Sequence, residues 1–247
     1  MDIRQYLDAT YLKTPEQAQL TDAQNRNVVR GLVQEAIHEK YKLVMVRPDM
    51  VAMARYLIDE ARSDLLVGTV VSFPEGTAVI PEKIAEAEQA IFDGADDLDF
   101  VINYTAFIAG DIHAIEQEVL QCTAIGLQSN KTVKWIIEIA ALNDAQVAVL
   151  TSLVKDVVVS NFEEKEYSRV FVKSSTGFYK TQGTLPNGAT VSGIKIMLDN
   201  AGPLSVKASG GVKNYAEAVA MINMGVMRIG TSSAKEIVHG QDGSGSY

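Results

Sequence analysis

Short apolar runs alternate along the whole chain with stretches in which apolar residues recur three or four positions apart. The runs are Leu43–Val46, Leu65–Val71, Leu98–Ile102, Val133–Ile139, Val170–Val172, Leu204–Val206 and Val226–Ile229, with a weaker one at Tyr6–Leu12. Rich in valine and isoleucine and short, they predict strands buried on both faces, as a parallel sheet requires. Between them, Ile84, Ala87 and Ile91 form a helical stripe that starts near Pro81 and stops before Gly94. Asp111 is placed to cap a helix bearing Ile112, Ile115, Val119 and Cys122. Val191, Ile194, Met197 and Leu198 mark another, stopped by Gly202-Pro203, and Asn214 precedes one that ends at Gly225. Val157-Val158-Val159 fits either a helix end or a strand.

From Leu43 onward the strand candidates start 22 to 37 residues apart, the spacing of βα units, and Tyr6–Leu12 makes eight. A 247-residue chain with this pattern predicts one α/β domain, a (β/α)₈ TIM barrel over residues 1–239. The Gly- and Ser-rich residues 240–247 read as a flexible tail. A doubly wound open sheet has the same alternation, and periodicity does not separate the two.

Composition narrows the function classes. With 31 acidic residues against 22 basic ones, the net charge of −9 predicts no nucleic-acid partner, and no basic stripe interleaved with aromatics is present. A single cysteine, Cys122, excludes an intrachain disulfide and suits a reducing compartment. Residues 1–5 lack a leader-like apolar stretch, and no apolar run reaches the roughly 20 residues of a membrane span. A cytoplasmic protein without a membrane partner is expected. His38, His113 and His239 show no metal-ligand spacing.

In either architecture chemistry belongs at the C-terminal ends of the strands. Lys173 ends the run Val170–Val172, and Lys207 follows Val206 one βα unit later. Lysine is rarely buried without a partner, because its ammonium loses hydration. Burial beside a second cation favours the neutral amine instead, a nucleophile able to attack a carbonyl. Asp99, embedded in Leu98–Ile102, could balance the second ammonium and move a proton, although Asp97 shares its strand face. Lys134 opens the next run, either joining this set or lying at a solvated strand start. Gly210-Gly211 and Thr231-Ser232-Ser233 follow the last two strands, where barrel enzymes often bind phosphate, and Ser174-Ser175-Thr176-Gly177 could close a third side. Lys213 and Arg228 are candidate counter-charges, with an exposed surface position the default for each.

These segments resemble the deoxyribose-phosphate aldolases, class I Schiff-base enzymes, over nearly the whole chain and in the same order. The most specific matches are Phe171-Val172-Lys173-Ser174-Ser175-Thr176-Gly177-Phe178 and Val206-Lys207-Ala208-Ser209-Gly210-Gly211-Val212. Residues 7–13, 70–76, 97–103 and 228–234 add weaker ones. The resemblance implies Lys173 as Schiff-base nucleophile, Lys207 as the cation lowering its pKa, and Asp99 as the proton-transfer carboxylate. Lys134, Asp8 and Thr176 would support them. Gly177, Gly210, Gly211, Ser232 and Ser233 would bind phosphate, and the terminal Tyr247 could reach the site.

The implied reaction is reversible cleavage of 2-deoxy-D-ribose 5-phosphate to acetaldehyde and D-glyceraldehyde 3-phosphate, without metal or organic cofactor. The partners would be phosphorylated sugars, aldehydes and a second copy in a homodimer. Ala9, Met45, Arg47 and Glu75 depart from the family pattern, where histidine, cysteine, tyrosine and a small or apolar residue are common. Phe178 leaves no lysine there for phosphate. Arg47 and Glu75 bear on substrate preference, so a related class I aldolase with altered aldehyde acceptance is the alternative. A non-catalytic sugar-phosphate-binding barrel is a further one.

Overall fold

A computed structural model describes residues 1–181, 187–241 and 243. Eight strands, β1 (Leu7–Thr10), β2 (Leu43–Val46), β3 (Leu66–Val71), β4 (Asp97–Val101), β5 (Thr132–Ile136), β6 (Val170–Lys173), β7 (Ser205–Ser209) and β8 (Arg228–Thr231), pair in sequence order, all parallel. β8 pairs with β1 as well as β7, so the sheet closes on itself. That closure selects the barrel over the open sheet.

The strands form where the valine- and isoleucine-rich runs lie, because helices cover the outside and side chains fill the inside. Capping follows the sequence signals. Asp111 accepts a hydrogen bond from the Ala114 amide at 3.2 Å, and Asn214 accepts one from the Glu217 amide at 3.0 Å. Gly225 ends its helix at φ 113°, a left-handed conformation that glycine adopts without strain.

Three local readings shift. Val157–Val159 lie inside the helix Asp144–Asn161. The run Val133–Ile139 is not one strand: β5 stops at Ile136, Glu138 turns at φ 53°, and a short 3₁₀ turn covers Ile139–Ala141. On the helix Ile80–Phe92 the fully buried stripe is Lys83, Ala87 and Ala90, with Ile84 and Ile91 at its edges. The stripe is rotated because Lys83 is drawn inward.

Its ammonium donates to Glu118 Oε1 at 2.5 Å and to the carbonyls of Gly76 and Val101 at 2.7 and 2.8 Å. Glu118 Oε2 accepts from the Asn103 amide at 3.2 Å. Gly76 is pressed so close to β4 that a Cβ would collide with the Ile102 carbonyl. This clamp ties the loop after β3 to the end of β4, two residues beyond Asp99.

The barrel interior is divided. Leu12, Leu43, Met45 and Val70 form an apolar cluster separate from the main core, on the side of β1 to β3. The other side is filled with charge, as described below.

Breaking the clamp from one side leaves a buried ammonium without its carboxylate. Glu118→Ala is expected to cost about 3–5 kcal/mol in urea unfolding, and Lys83→Met/Glu118→Leu clearly less. Equal losses from both would show that the charge pair is not what matters.

Candidate active site

Parallel pairing sets the charged residues side by side. Asp99 lies opposite Lys134 on β5, Lys173 opposite Lys207 on β7, and Lys207 opposite Arg228 on β8. All point into the barrel. Asp99 Oδ2 accepts from Lys173 Nζ at 2.9 Å and from Lys207 Nζ at 2.8 Å, while Oδ1 accepts from Lys134 Nζ at 2.8 Å. Lys134 also reaches Asp97 Oδ2 at 2.7 Å, and Lys207 lies 2.6 Å from Asp8 Oδ2. Asp8, Asp99, Lys134 and Lys207 are fully buried, and of the three lysines Lys173 alone keeps a trace of exposure, 3%. So Lys134 is not a solvated strand start.

Electrostatics single out Lys173. Burial pushes its amine down most; Asp99 opposes this, and the ammonium groups of Lys207 and Lys134 add to it, bringing the pKa to about 8. Desolvation thus outweighs the crowding by Lys207. Burial acts to raise the Asp99 carboxyl, yet Lys134, Lys173 and Lys207 together hold it well below the usual carboxylate range. Burial would likewise lower Lys134, but Asp97, Asp99 and Asp8 keep its ammonium favoured. One amine in the array is therefore poised to lose its proton near neutral pH.

The loops after β6 to β8 are bound to one another. Ser174 Oγ donates to the Ser209 carbonyl and accepts from the Ser209 amide, both at 2.9 Å, and Ser209 Oγ donates to the Ser175 carbonyl at 3.0 Å. Gly177 is buried in its own turn, its amide donating to Ser175 Oγ at 3.0 Å. Gly210 and Gly211 adopt φ 85° and 88° at the end of β7. Ser232 is exposed and Ser233 buried beside them after β8, the Ser233 hydroxyl having no hydrogen-bond partner among the described residues. In the tail, the Gly243 amide donates to the Lys213 carbonyl at 3.1 Å. Tyr247 lies outside the described residues.

Two readings of individual residues change. Arg228 is neither exposed nor near the phosphate-like loops: it starts β8 at the barrel floor, buried against Asp8 and Asp97. Lys213 is exposed, as its default reading has it. Glu138 joins the site as well, and its signal in the sequence is that of the two lysines, a charge following an apolar run. It is buried at the end of β5, accepting from Ser175 Oγ at 2.7 Å, from the Thr176 amide at 3.1 Å, and from the Thr176 hydroxyl. Burial pushes its carboxyl up against these hydrogen bonds.

A cavity of about 300 Å³, bounded by Glu75, Tyr104, Glu138, Thr176 and Phe178 among others, opens beside the end of β6. Across the mouth, the Phe73 and Phe178 rings meet edge to face at 5.0 Å. The Arg47 guanidinium lies 5.4 Å from the Phe73 ring centre, its Nε donating to the Leu12 carbonyl at 2.7 Å. Among the described residues, no three His, Cys, Asp or Glu side chains are grouped so as to hold a metal ion, and no helix is long and apolar enough to cross a membrane. Chemically, a buried amine of lowered pKa next to a carboxylate held ionised by its cationic neighbours can attack a carbonyl and pass protons.

Comparison with known proteins agrees with this chemistry. Residues 5–237 match the sequence model described as DeoC/LacD family aldolase. A deoxyribose-phosphate aldolase of Thermococcus gammatolerans is 36% identical over 241 residues, covering 97% of this chain and 96% of that protein. One from Lactiplantibacillus plantarum is also 36% identical, covering 96% of this chain and 99% of its own length. Among solved structures, the tetrameric deoxyribose phosphate aldolase of Aeropyrum pernix superposes with a TM-score of 0.76 at 25% identity, over 96% of this chain and 89% of that one.

The lowered pKa has a consequence for stability. An ordinary lysine near 10.5 that falls to about 8 on folding binds fewer protons folded than unfolded between those values. Stability therefore rises with pH across that window, and the full cost, roughly 3 kcal/mol, is present below pH 8. Lys173→Met is expected to raise the melting temperature at pH 7, with the gain shrinking from pH 8 upward and gone near pH 10.5. A destabilised variant at pH 7 would contradict this.

Proposed function

The chain belongs to the DeoC/LacD family of aldolases, and from that premise we propose that it reversibly cleaves 2-deoxy-D-ribose 5-phosphate to acetaldehyde and D-glyceraldehyde 3-phosphate through a Schiff base on Lys173. The observation that carries this reading is the Lys173 amine at about pKa 8, bonded to Asp99 beside the Lys207 ammonium. In this scheme the neutral amine adds to the C1 aldehyde, and loss of water leaves an iminium. The iminium withdraws electrons from the C2–C3 bond while a water held by Asp99 and its lysines takes the C3 hydroxyl proton. C2–C3 then breaks, releasing the C3 aldehyde and leaving an enamine on Lys173. Protonation of the enamine carbon and addition of water return acetaldehyde and the free amine.

Lys207 and Lys134 hold Asp99 ionised and in place, and Asp8 orients Lys207. Gly210, Gly211, Ser232 and Ser233, with Gly177 and Thr176 on the adjoining strand end, form the proposed phosphate seat at consecutive strand ends, where barrels commonly bind this group. The buried Ser233 hydroxyl, without a hydrogen-bond partner among the described residues, supports that assignment. The half-buried Arg47 over Phe73 favours a second reading within the same chemistry, an aldolase that accepts other aldehydes as well. Retro-aldol rates on several phosphorylated sugars distinguish the two. For the setting we propose the cytoplasm.

Borohydride reduction in the presence of acetaldehyde is expected to fix a two-carbon adduct on Lys173, located by peptide mass spectrometry. Lys173→Leu should abolish both the adduct and glyceraldehyde 3-phosphate release in a coupled assay. Substrate that raises the melting temperature without adduct or turnover would instead indicate a binding protein. For the assembly we propose a homodimer, so light scattering should return twice the 26.8 kDa chain mass; the mass of one chain or of four would overturn it.

A further inference from the structure

One buried charge in the barrel takes no part in the proposed chemistry. Arg228 Nε donates to Asp8 Oδ1 at 2.8 Å, Nη2 donates to the same oxygen at 2.5 Å, and Nη2 lies 3.4 Å from Asp97 Oδ2. These two carboxylates are the ones that hold Lys207, at 2.6 Å, and Lys134, at 2.7 Å. Arg228 therefore competes with both lysines that flank Asp99.

Within this contact array three carboxylates, of Asp8, Asp97 and Asp99, face four cationic side chains, of Arg228, Lys134, Lys173 and Lys207. An unbalanced charge sealed from water is costly, and loss of one proton relieves it. Arg228 cannot supply that proton, since a guanidinium stays protonated. Lys134 and Lys207 each bridge two carboxylates. Lys173 has one carboxylate oxygen, shared with Lys207, and it is the lysine of the three that retains contact with solvent. The relief falls on Lys173.

We infer that Arg228 is a positioning residue whose fixed charge on Asp8 and Asp97 leaves the array one carboxylate short, so that the proton on Lys173 is the one the array gives up first. This deepens the proposed function and rests on Lys173 being the nucleophile. The charged groups that face Lys173 are Asp99 from β4, Lys134 from β5 and Lys207 from β7, with Glu138 at the end of β5. Glu138 makes no ion pair with it, its oxygens being taken by Ser175 and Thr176. Arg228 itself meets Asp8 from β1 and Asp97 from β4, with Lys207, Lys134 and Asp99 beyond them.

The pH dependence of acetaldehyde trapping at Lys173 by cyanoborohydride, read by peptide mass spectrometry on the full chain, tests this. Arg228→Met returns the array to balance with Lys173 charged, and the midpoint should rise by about one pH unit. Asp97→Asn keeps the side-chain shape and removes a negative charge, so the midpoint should fall by a similar amount. It gives the answer even where Arg228→Met does not fold. A purely structural Arg228 would change yield or stability without moving either midpoint, and midpoints that stay at the wild-type value overturn the inference. A wild-type chain that is not trapped at Lys173 removes the nucleophile reading itself, and the inference with it.

Discussion

Asp99 holds three ammonium groups on two carboxylate oxygens, inside a barrel that admits almost no solvent. Each of those contacts comes from a different strand, so the array exists only while β4 to β7 keep their register. A slip of one residue would turn every charged side chain outward into the helix layer, where no partner waits. The same array makes the carboxylate dependable. With three cations around it, the Asp99 carboxyl is held well below the usual carboxylate range, and the proton that varies near neutral pH is the one on Lys173.

The division of the barrel interior follows from this. Charge is concentrated from β4 round to β8 and β1, and the remaining arc is filled by Leu12, Leu43, Met45 and Val70. An apolar wall lowers the local dielectric and strengthens the interactions opposite it. A barrel tolerates such a polar filling because its charges are paired but for one cation in excess, and the hydrophobic core that stabilises the fold lies mainly between strands and helices. The Lys83–Glu118 clamp plays a matching role outside the barrel, fixing the end of β4 from behind.

Much of this was legible beforehand for definite reasons. Seven runs rich in valine and isoleucine, with the weaker Tyr6–Leu12 as an eighth, mark the strands at βα spacing, because parallel strands buried on both faces leave little room for polar residues. Lys173, Lys207 and Asp99 stood out for the same reason, as charges in segments that otherwise exclude charge. Glu138 carries that signal too, but a strand running through Ile139 gives it no distinct place, and it is the turn at its φ of 53° that sets it against Ser175 and Thr176. Arg228 lies inside the apolar run Val226–Ile229 and so carries the signal as well, yet an exposed position is the default for a lone arginine, and it is closure of the barrel that turns it inward against Asp8 and Asp97.

Hydrophobic period and the cost of burying charge are local properties, so the chain alone places most strands and helices and marks which residue types must find partners. Only the tertiary structure decided who pairs with whom. The sharing of Asp99 by three lysines, the recruitment of Asp8 and Asp97 by Arg228, and the capture of Glu138 by Thr176 depend on closure of β8 onto β1 and on register between strands tens of residues apart. Those are distances in space, and no spacing along the chain encodes them.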